Sequence, residues 1–121
     1  DMDQIFLLAP TSTDQRIQHV ANQASGFIYY VSLKGVTGAA TLDTSEAAAR
    51  IEKIKGMTNV PVGVGFGISD AASAKAMGSV ADAVIVGSAF VKSFATLAAD
   101  EAVEQTVNKV KELRAALDEL V

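Results

Sequence analysis

Apolar residues gather in four short blocks, residues 5–9, 27–31, 60–64 and 83–86, and none of them alternates cleanly between apolar and polar positions. Continuous apolarity over so few residues predicts strands covered on both faces, the habit of parallel sheets. Between the blocks the spacing changes to that of helices. Ser12 or Thr13 can cap a helix to about residue 24 that places Ile17, Val20, Ala21 and Ala24 on one face, with Asp14 at its positive end. A second helix, from Thr44 or Ser45 to Lys55, gathers Ala47, Ala48, Ile51 and Ile54 and ends near Gly56, a glycine suited to a helix end. Ser69 is expected to cap a third helix that ends at Gly78. A long last helix, residues 100–120, carries Val103, Val107, Val110, Leu113, Leu117 and Leu120 as a stripe expected to pack on the strands. The order β-α-β-α-β-α-β-α predicts an α/β fold with parallel strands and crossover helices. Spacing leaves open whether these form an open doubly wound sheet or part of a barrel. No Pro- or Ser-rich linker interrupts residues 1–121, which therefore read as one domain or one piece of a larger one. The longest connection, residues 32–44, is rich in Gly, Thr and Ala and is the candidate mobile loop.

Composition narrows the function classes. Of 121 residues, half are apolar and a fifth charged, enough for one sizeable core. The net charge is −4, and the basic residues are scattered (Arg16, Lys34, Lys53, Lys55, Lys92, Lys109), so no nucleic-acid face is expected. No run approaches the roughly 20 apolar residues that cross a bilayer. The start, Asp1-Met2-Asp3-Gln4, is acidic where a targeting signal would be basic, so the expected location is the cytoplasm, with no membrane partner. With no cysteine and a single histidine, His19, neither a disulfide nor a Cys or His metal cluster nor a Ser-His-Asp triad can be assembled.

The candidate chemistry lies in three glycine clusters, each after a strand: Gly35-Val36-Thr37-Gly38, Gly65-Phe66-Gly67-Ile68-Ser69 and Gly87-Ser88-Ala89. Parallel α/β folds bind ligands at the carboxyl ends of their strands. Glycines there let backbone N–H groups approach an anion, and a helix beginning at Ser88, running to about Ser93, adds unpaired donors and a partial positive charge. Converging loops of this kind make a phosphate cradle without arginine. The plainer alternative is that the glycines only permit tight strand-to-helix turns. The segment Gly63-Val64-Gly65-Phe66-Gly67 does not complete a dinucleotide fingerprint, because Asp70 stands where the third glycine belongs. Tyr29 and Tyr30 are consecutive in a strand, so one faces inward and could line a pocket while the other faces the helices. Phe66, between glycines at a strand end, is either a pocket wall or packing, and His19 reads as a partly exposed helix residue. Acid and base groups are scarce at the strand ends. Asp43 and Asp70 come nearest, Lys34 is a possible loop contact, and Asp70 suits the first turn of a helix.

Four motifs together resemble a known family. Ile5-Phe6-Leu7-Leu8-Ala9-Pro10-Thr11-Ser12, Phe27-Ile28-Tyr29-Tyr30-Val31-Ser32 with Gly35-Val36-Thr37-Gly38, Val62-Gly63-Val64-Gly65-Phe66-Gly67-Ile68-Ser69 and Val84-Ile85-Val86-Gly87-Ser88-Ala89-Phe90-Val91 are similar, in order and spacing, to the tryptophan synthase alpha chain family. The resemblance implies a (β/α)8 TIM barrel, of which this chain would be a half barrel of four β/α units, strands five to eight. It implies cleavage of indole-3-glycerol phosphate to indole and glyceraldehyde 3-phosphate, with indole passed to a beta chain. No cofactor is implied for this chain, pyridoxal phosphate belonging to that beta subunit. By matching motif, Gly38, Gly67, Gly87 and Ser88 would contact the phosphate, while Tyr29, Thr37 and Phe66 would line the indole and glycerol pocket. The loop from Gly35 to about Thr44 would close over substrate. The family's catalytic Glu and Asp come from the first half of the barrel, with which nothing here aligns, so catalytic residues are expected to be absent and the isolated chain inactive. Four parallel strands leave two raw edges. The implied partners are therefore the missing N-terminal half barrel or a second copy in a homodimer. The alternatives are a non-catalytic phosphate-binding or structural half-barrel module, or another phosphate-binding barrel enzyme.

Overall fold

The computed structural model describes residues 1–32, 44–65 and 67–121. Lys34, Gly35, Val36, Thr37, Gly38, Asp43 and Phe66, and with them the expected closing loop, lie outside the described residues. Nine elements follow one another among those described: β1 (Phe6–Leu8), α1 (Asp14–Gln23), β2 (Ile28–Val31), α2 (Ser45–Lys55), β3 (Val62–Gly65), α3 (Ala71–Gly78), β4 (Ala83–Ile85), α4 (Ser88–Thr96) and α5 (Ala99–Asp118). The strands form one sheet in the order β1-β2-β3-β4, every neighbouring pair parallel. Sequential parallel order is what right-handed β-α-β crossovers produce when each strand is added beside the last.

Register assigns the two faces. Phe6 and Leu8 pair with Ile28 and Tyr30, which pair with Val62 and Val64. Leu8, Ile28, Tyr30, Val62 and Val64 are all buried, in one cluster with Ile17 and Val20 of α1, Ile51 and Ile54 of α2, and Ala74 and Met77 of α3. The other row, Leu7, Tyr29, Gly63 and Ala83, then Val31, Gly65 and Ile85, turns away from the helices. Tyr30 is therefore the tyrosine that packs under the helices, and Tyr29 the one on the opposite, inner face. Two glycines of β3 are explained by that inner face. A Cβ on Gly65 would stand 2.0 Å from the Tyr29 hydroxyl, and one on Gly63 would stand 3.1 Å from Ile85 and 3.4 Å from the Phe27 ring.

Helix starts follow the capping logic with one correction. Thr13 caps α1, its hydroxyl accepting from the Arg16 N–H at 3.2 Å. For α3 the cap is Asp70, not Ser69: its carboxylate accepts from the Ser73 N–H at 2.8 Å, and the Ser73 hydroxyl accepts in return from the Asp70 N–H at 3.2 Å. An aspartate one residue later out-competes serine because it completes this reciprocal pair. Gly56 closes α2 with φ −69°, in the right-handed region, so no left-handed cap is formed there. The extra helix after Ser88 runs further than residue 93, to Thr96.

The largest departure concerns α5. Its buried side is Ala102, Leu113 and Ala116, facing α3 and α4, while Val103, Val107 and Val110 are 54%, 45% and 50% exposed. The three valines of the stripe expected to pack on the strands are thus rotated out of the core by roughly a quarter turn, at about 100° per residue, while Leu113 of the same stripe is buried. Lower on the helix, Leu117 packs on Gly78 of α3, with Leu120 beside it and still 40% exposed.

Candidate functional site

The carboxyl ends of β3 and β4 build a small ledge. Gly65 of β3 pairs with Ile85 of β4, and two residues beyond each stand Gly67 and Gly87, placed equivalently on adjacent strands. Gly67 has φ +75°, a left-handed conformation that a side chain strains. Its turn drops Ile68 into the core, 4% exposed, and delivers Asp70 to cap α3. Gly87 precedes α4 and makes no side-chain cap; its carbonyl accepts from the N–H groups of Phe90 (3.0 Å) and Val91 (3.2 Å). Nothing lies within 4 Å of where a Gly87 Cβ would stand, so the space over this helix start is open. Ser88 opens α4 and is exposed, with the unpaired first-turn donors and positive dipole end that favour an anion.

Beside the ledge, on the inner face, Tyr29 reaches across from β2 to lay its hydroxyl on Gly65. The Ser32 N–H donates to the Gly65 carbonyl at 3.1 Å, holding the β2 and β3 ends together. The structure therefore brings Gly67, Gly87, Ser88 and Tyr29 to one end of the sheet, while Gly38, Thr37 and Phe66 lie outside the described residues.

The perturbed titratable groups are engaged in structural bonds or the core. Asp82, at the amino end of β4, accepts from the Lys55 ammonium at 2.8 Å and the Val62 N–H at 2.9 Å, and these bonds hold its carboxyl below the usual range. Ser73 does the same for Asp70, Lys53 for Asp14 and Lys109 for Glu112. Burial pushes the Tyr30 phenol up, on the helix side. Each shift has a structural cause in a cap, a clamp or the core, so among the described residues none marks an acid or base aimed at the ledge. No group of three His, Cys, Asp or Glu able to hold a metal occurs among the described residues, and none of their helices is long and apolar enough to cross a membrane. His19 is an exposed residue of α1, as expected. Sequence reasoning missed the Asp82 clamp and the Tyr29–Gly65 contact, since both join residues far apart in the chain.

A profile of the tryptophan synthase alpha chain family matches residues 1–121. The chain belongs to that family. The alpha chain of Acinetobacter baylyi is 88% identical over 121 residues, covering all of this chain and 45% of that protein. That of a Janthinobacterium species is 55% identical over 119 residues, covering 98% of this chain and again 45% of its relative. The chain thus spans less than half the length of the alpha chains it matches. Among solved structures, tryptophan synthase from M. tuberculosis superposes with a TM-score of 0.77 at 31% identity, over 96% of this chain and 40% of that one. The alpha chain from Legionella pneumophila gives 0.76 at 28% identity, over 96% and 42%. The four-stranded sheet is accordingly part of a TIM-barrel fold, which answers the question that strand spacing left open.

Proposed function

We propose that this chain is the carboxyl-terminal half of a tryptophan synthase alpha barrel, strands five to eight, and that its ledge binds the phosphate of indole-3-glycerol phosphate. The observation that carries the reading is the convergence of Gly67 with Gly87 and Ser88 on adjacent strand ends, open to solvent beside a helix start. In barrel enzymes this is where phosphate is bound, by the loops after the last two strands and a short extra helix, for which α4 has the position. Tyr29 stands where the indole or glycerol portion would lie, and Gly38, Thr37 and Phe66 complete the pocket in this reading.

The reaction is an aldol-type cleavage: the bond between indole C3 and the glycerol carbon breaks, giving indole and glyceraldehyde 3-phosphate in tryptophan biosynthesis. Proton transfers in such a cleavage need carboxylates poised at the strand ends. Asp70, beyond the end of β3, is taken up by its capping box with Ser73, and in this reading the catalytic Glu and Asp belong to the other half of the barrel. The 121 residues then act as one binding unit, completed by the N-terminal half barrel or by a second copy. The pyridoxal phosphate of the pathway's next step belongs to the beta chain. Binding without turnover is the signature. Titration with indole-3-glycerol phosphate should give saturable binding and no indole release, and Ser88→Glu should weaken binding at least tenfold by setting a carboxylate against the phosphate. Indole release by the 121-residue chain alone, or binding indifferent to Ser88→Glu, would sink the reading.

A further inference from the structure

The two halves of the ledge belong to different helices. Gly67 leads into α3 through Ile68, Ser69 and Asp70, and Gly87 leads directly into α4. The sheet holds β3 and β4 side by side only as far as the pair Gly65 and Ile85, and both ledge glycines lie two residues beyond it. Past the end of the ladder, the place of each glycine depends on the helix that follows. α5 packs against both α3 and α4, so it is the element through which one half of the ledge is set relative to the other.

The polar bonds at the start of α3 are of two kinds. Those of the capping box are internal to the segment. The Ser73 hydroxyl accepts from the Ser69 and Asp70 N–H groups at 3.1 and 3.2 Å, and the Asp70 carboxylate accepts from the Ser73 N–H at 2.8 Å. These bonds shape the turn without tying it to another element. Ile68, 4% exposed, anchors the turn on its core side. On the outer side the anchor comes from α5: Glu112 Oε1 accepts from the Ala71 N–H at 3.3 Å, a first-turn donor that has no acceptor within its own helix. The other oxygen of Glu112 accepts from the Lys109 ammonium at 2.9 Å, one turn earlier on α5. That bond holds the Glu112 carboxyl below the usual range, so the acceptor offered to Ala71 is ionised at neutral pH. A second polar tie between the same two helices, Lys75 to Glu119, lies in the last turn of α3, away from the ledge.

We infer that Glu112 is a positioning residue for the anion ledge: held by Lys109, it pins the start of α3 to α5 and so fixes Gly67 relative to Gly87 and Ser88. The inference rests on the phosphate reading above and adds to it a residue that does not touch the ligand. A ledge made of backbone N–H groups needs support of this kind, because a backbone donor has no rotamer with which to follow a ligand and points only where its segment points.

The test is binding of inorganic phosphate, followed by phosphorus NMR, in the full chain and three variants of it. Glu112→Ala and Glu112→Gln remove the same charge, and only the second leaves the Ala71 N–H an acceptor. Their difference therefore reads the bond and not the electrostatic field at the ledge. Glu112→Ala should bind phosphate about threefold or more weakly than Glu112→Gln, the range expected for one hydrogen bond. Glu119→Ala, which cuts the tie at the other end of α3, should bind as the parent does. All are compared well below their unfolding midpoints, so that a loss of folded protein does not pass for a loss of affinity. Equal affinity in Glu112→Ala and Glu112→Gln overturns the inference, and so does an equal loss in Glu119→Ala, which would reduce the effect to packing of α3 on α5. If the parent itself binds no phosphate, the functional reading fails and this inference with it; if the parent binds and the Ala and Gln variants do not differ, this inference alone fails.

Discussion

At the residue scale, the clearest case of sequence choice dictated by a neighbour is Gly65. Its backbone is ordinary extended strand, so conformational freedom does not explain it; the Tyr29 hydroxyl, 2.0 Å from any Cβ, does. Gly65→Ala should cost about 1–3 kcal/mol, the usual cost of overpacking. In a Tyr29→Ala background the same substitution should cost under about 0.5 kcal/mol, as measured by urea denaturation of the four variants. Equal costs in both backgrounds would mean that the two residues are not coupled. Asp82 is the second case. Its carboxylate ties α2 to the starts of β3 and β4 through Lys55 and Val62, and Asp82→Ala should destabilise by about 1 kcal/mol. Because its folded pKa lies below the unfolded value, the unfolded chain binds more protons in that window. The stability it contributes is therefore present above the ordinary carboxylate pKa of about 4 and is lost as pH falls through the folded value. Asp82→Asn should flatten the acid limb of the stability profile below about pH 4, with little change in its shape at neutral pH.

At the element scale, α3 is held by its ends more than by its length. Eight residues form a helix too short to persist alone. Its Asp70–Ser73 capping box satisfies the first turn, and Ala74 and Met77 anchor it in the core. Asp70→Ala should cost about 1 kcal/mol and raise amide exchange across residues 71–74 before the strands respond. Loss of protection spread evenly over the chain would instead show that the cap is part of the global unfolding unit. The helix also sits directly after Gly67, so its start sets where the ledge lies. Gly67→Ala, forced to hold φ near +75°, should cost about 1–2 kcal/mol and displace that turn. Phosphate affinity and stability should fall together in this variant, whereas Ser88→Glu should reduce affinity alone.

At the scale of the whole molecule, four parallel strands with helices on one side leave the inner face and both edges open. Leu7, on the inner face at the β1 edge, is 60% exposed, and the α5 valines flank the opposite edge. A TIM barrel buries its inner layer only when eight strands close, so such residues are packing surface waiting for a complement. The same geometry explains why the site is open on one side: a ledge formed by two strand ends becomes an enclosed pocket only when the remaining strands stand opposite.

Much of this was legible in the chain. The four apolar blocks, the capped helical spacings and the strict alternation determined the elements and their parallel sheet, because burial on both faces and short crossovers leave few other arrangements for such a pattern. The glycines at the strand ends were equally visible as a place where backbone could meet an anion, and Gly67 and Gly87 do stand on neighbouring strand ends. Local signals were less able to choose between Ser69 and Asp70 as a cap, since both are good acceptors and only the reciprocal bond to Ser73 separates them. What the tertiary structure alone decided is which face each residue serves. Period-two and period-3.6 patterns give relative orientation but no absolute one, so Tyr29 and Tyr30 were interchangeable until register set Tyr30 beneath the helices. For the same reason the valines of α5 looked like core together with Leu113, and are surface because Ala102 and Ala116 join Leu113 on the inner side.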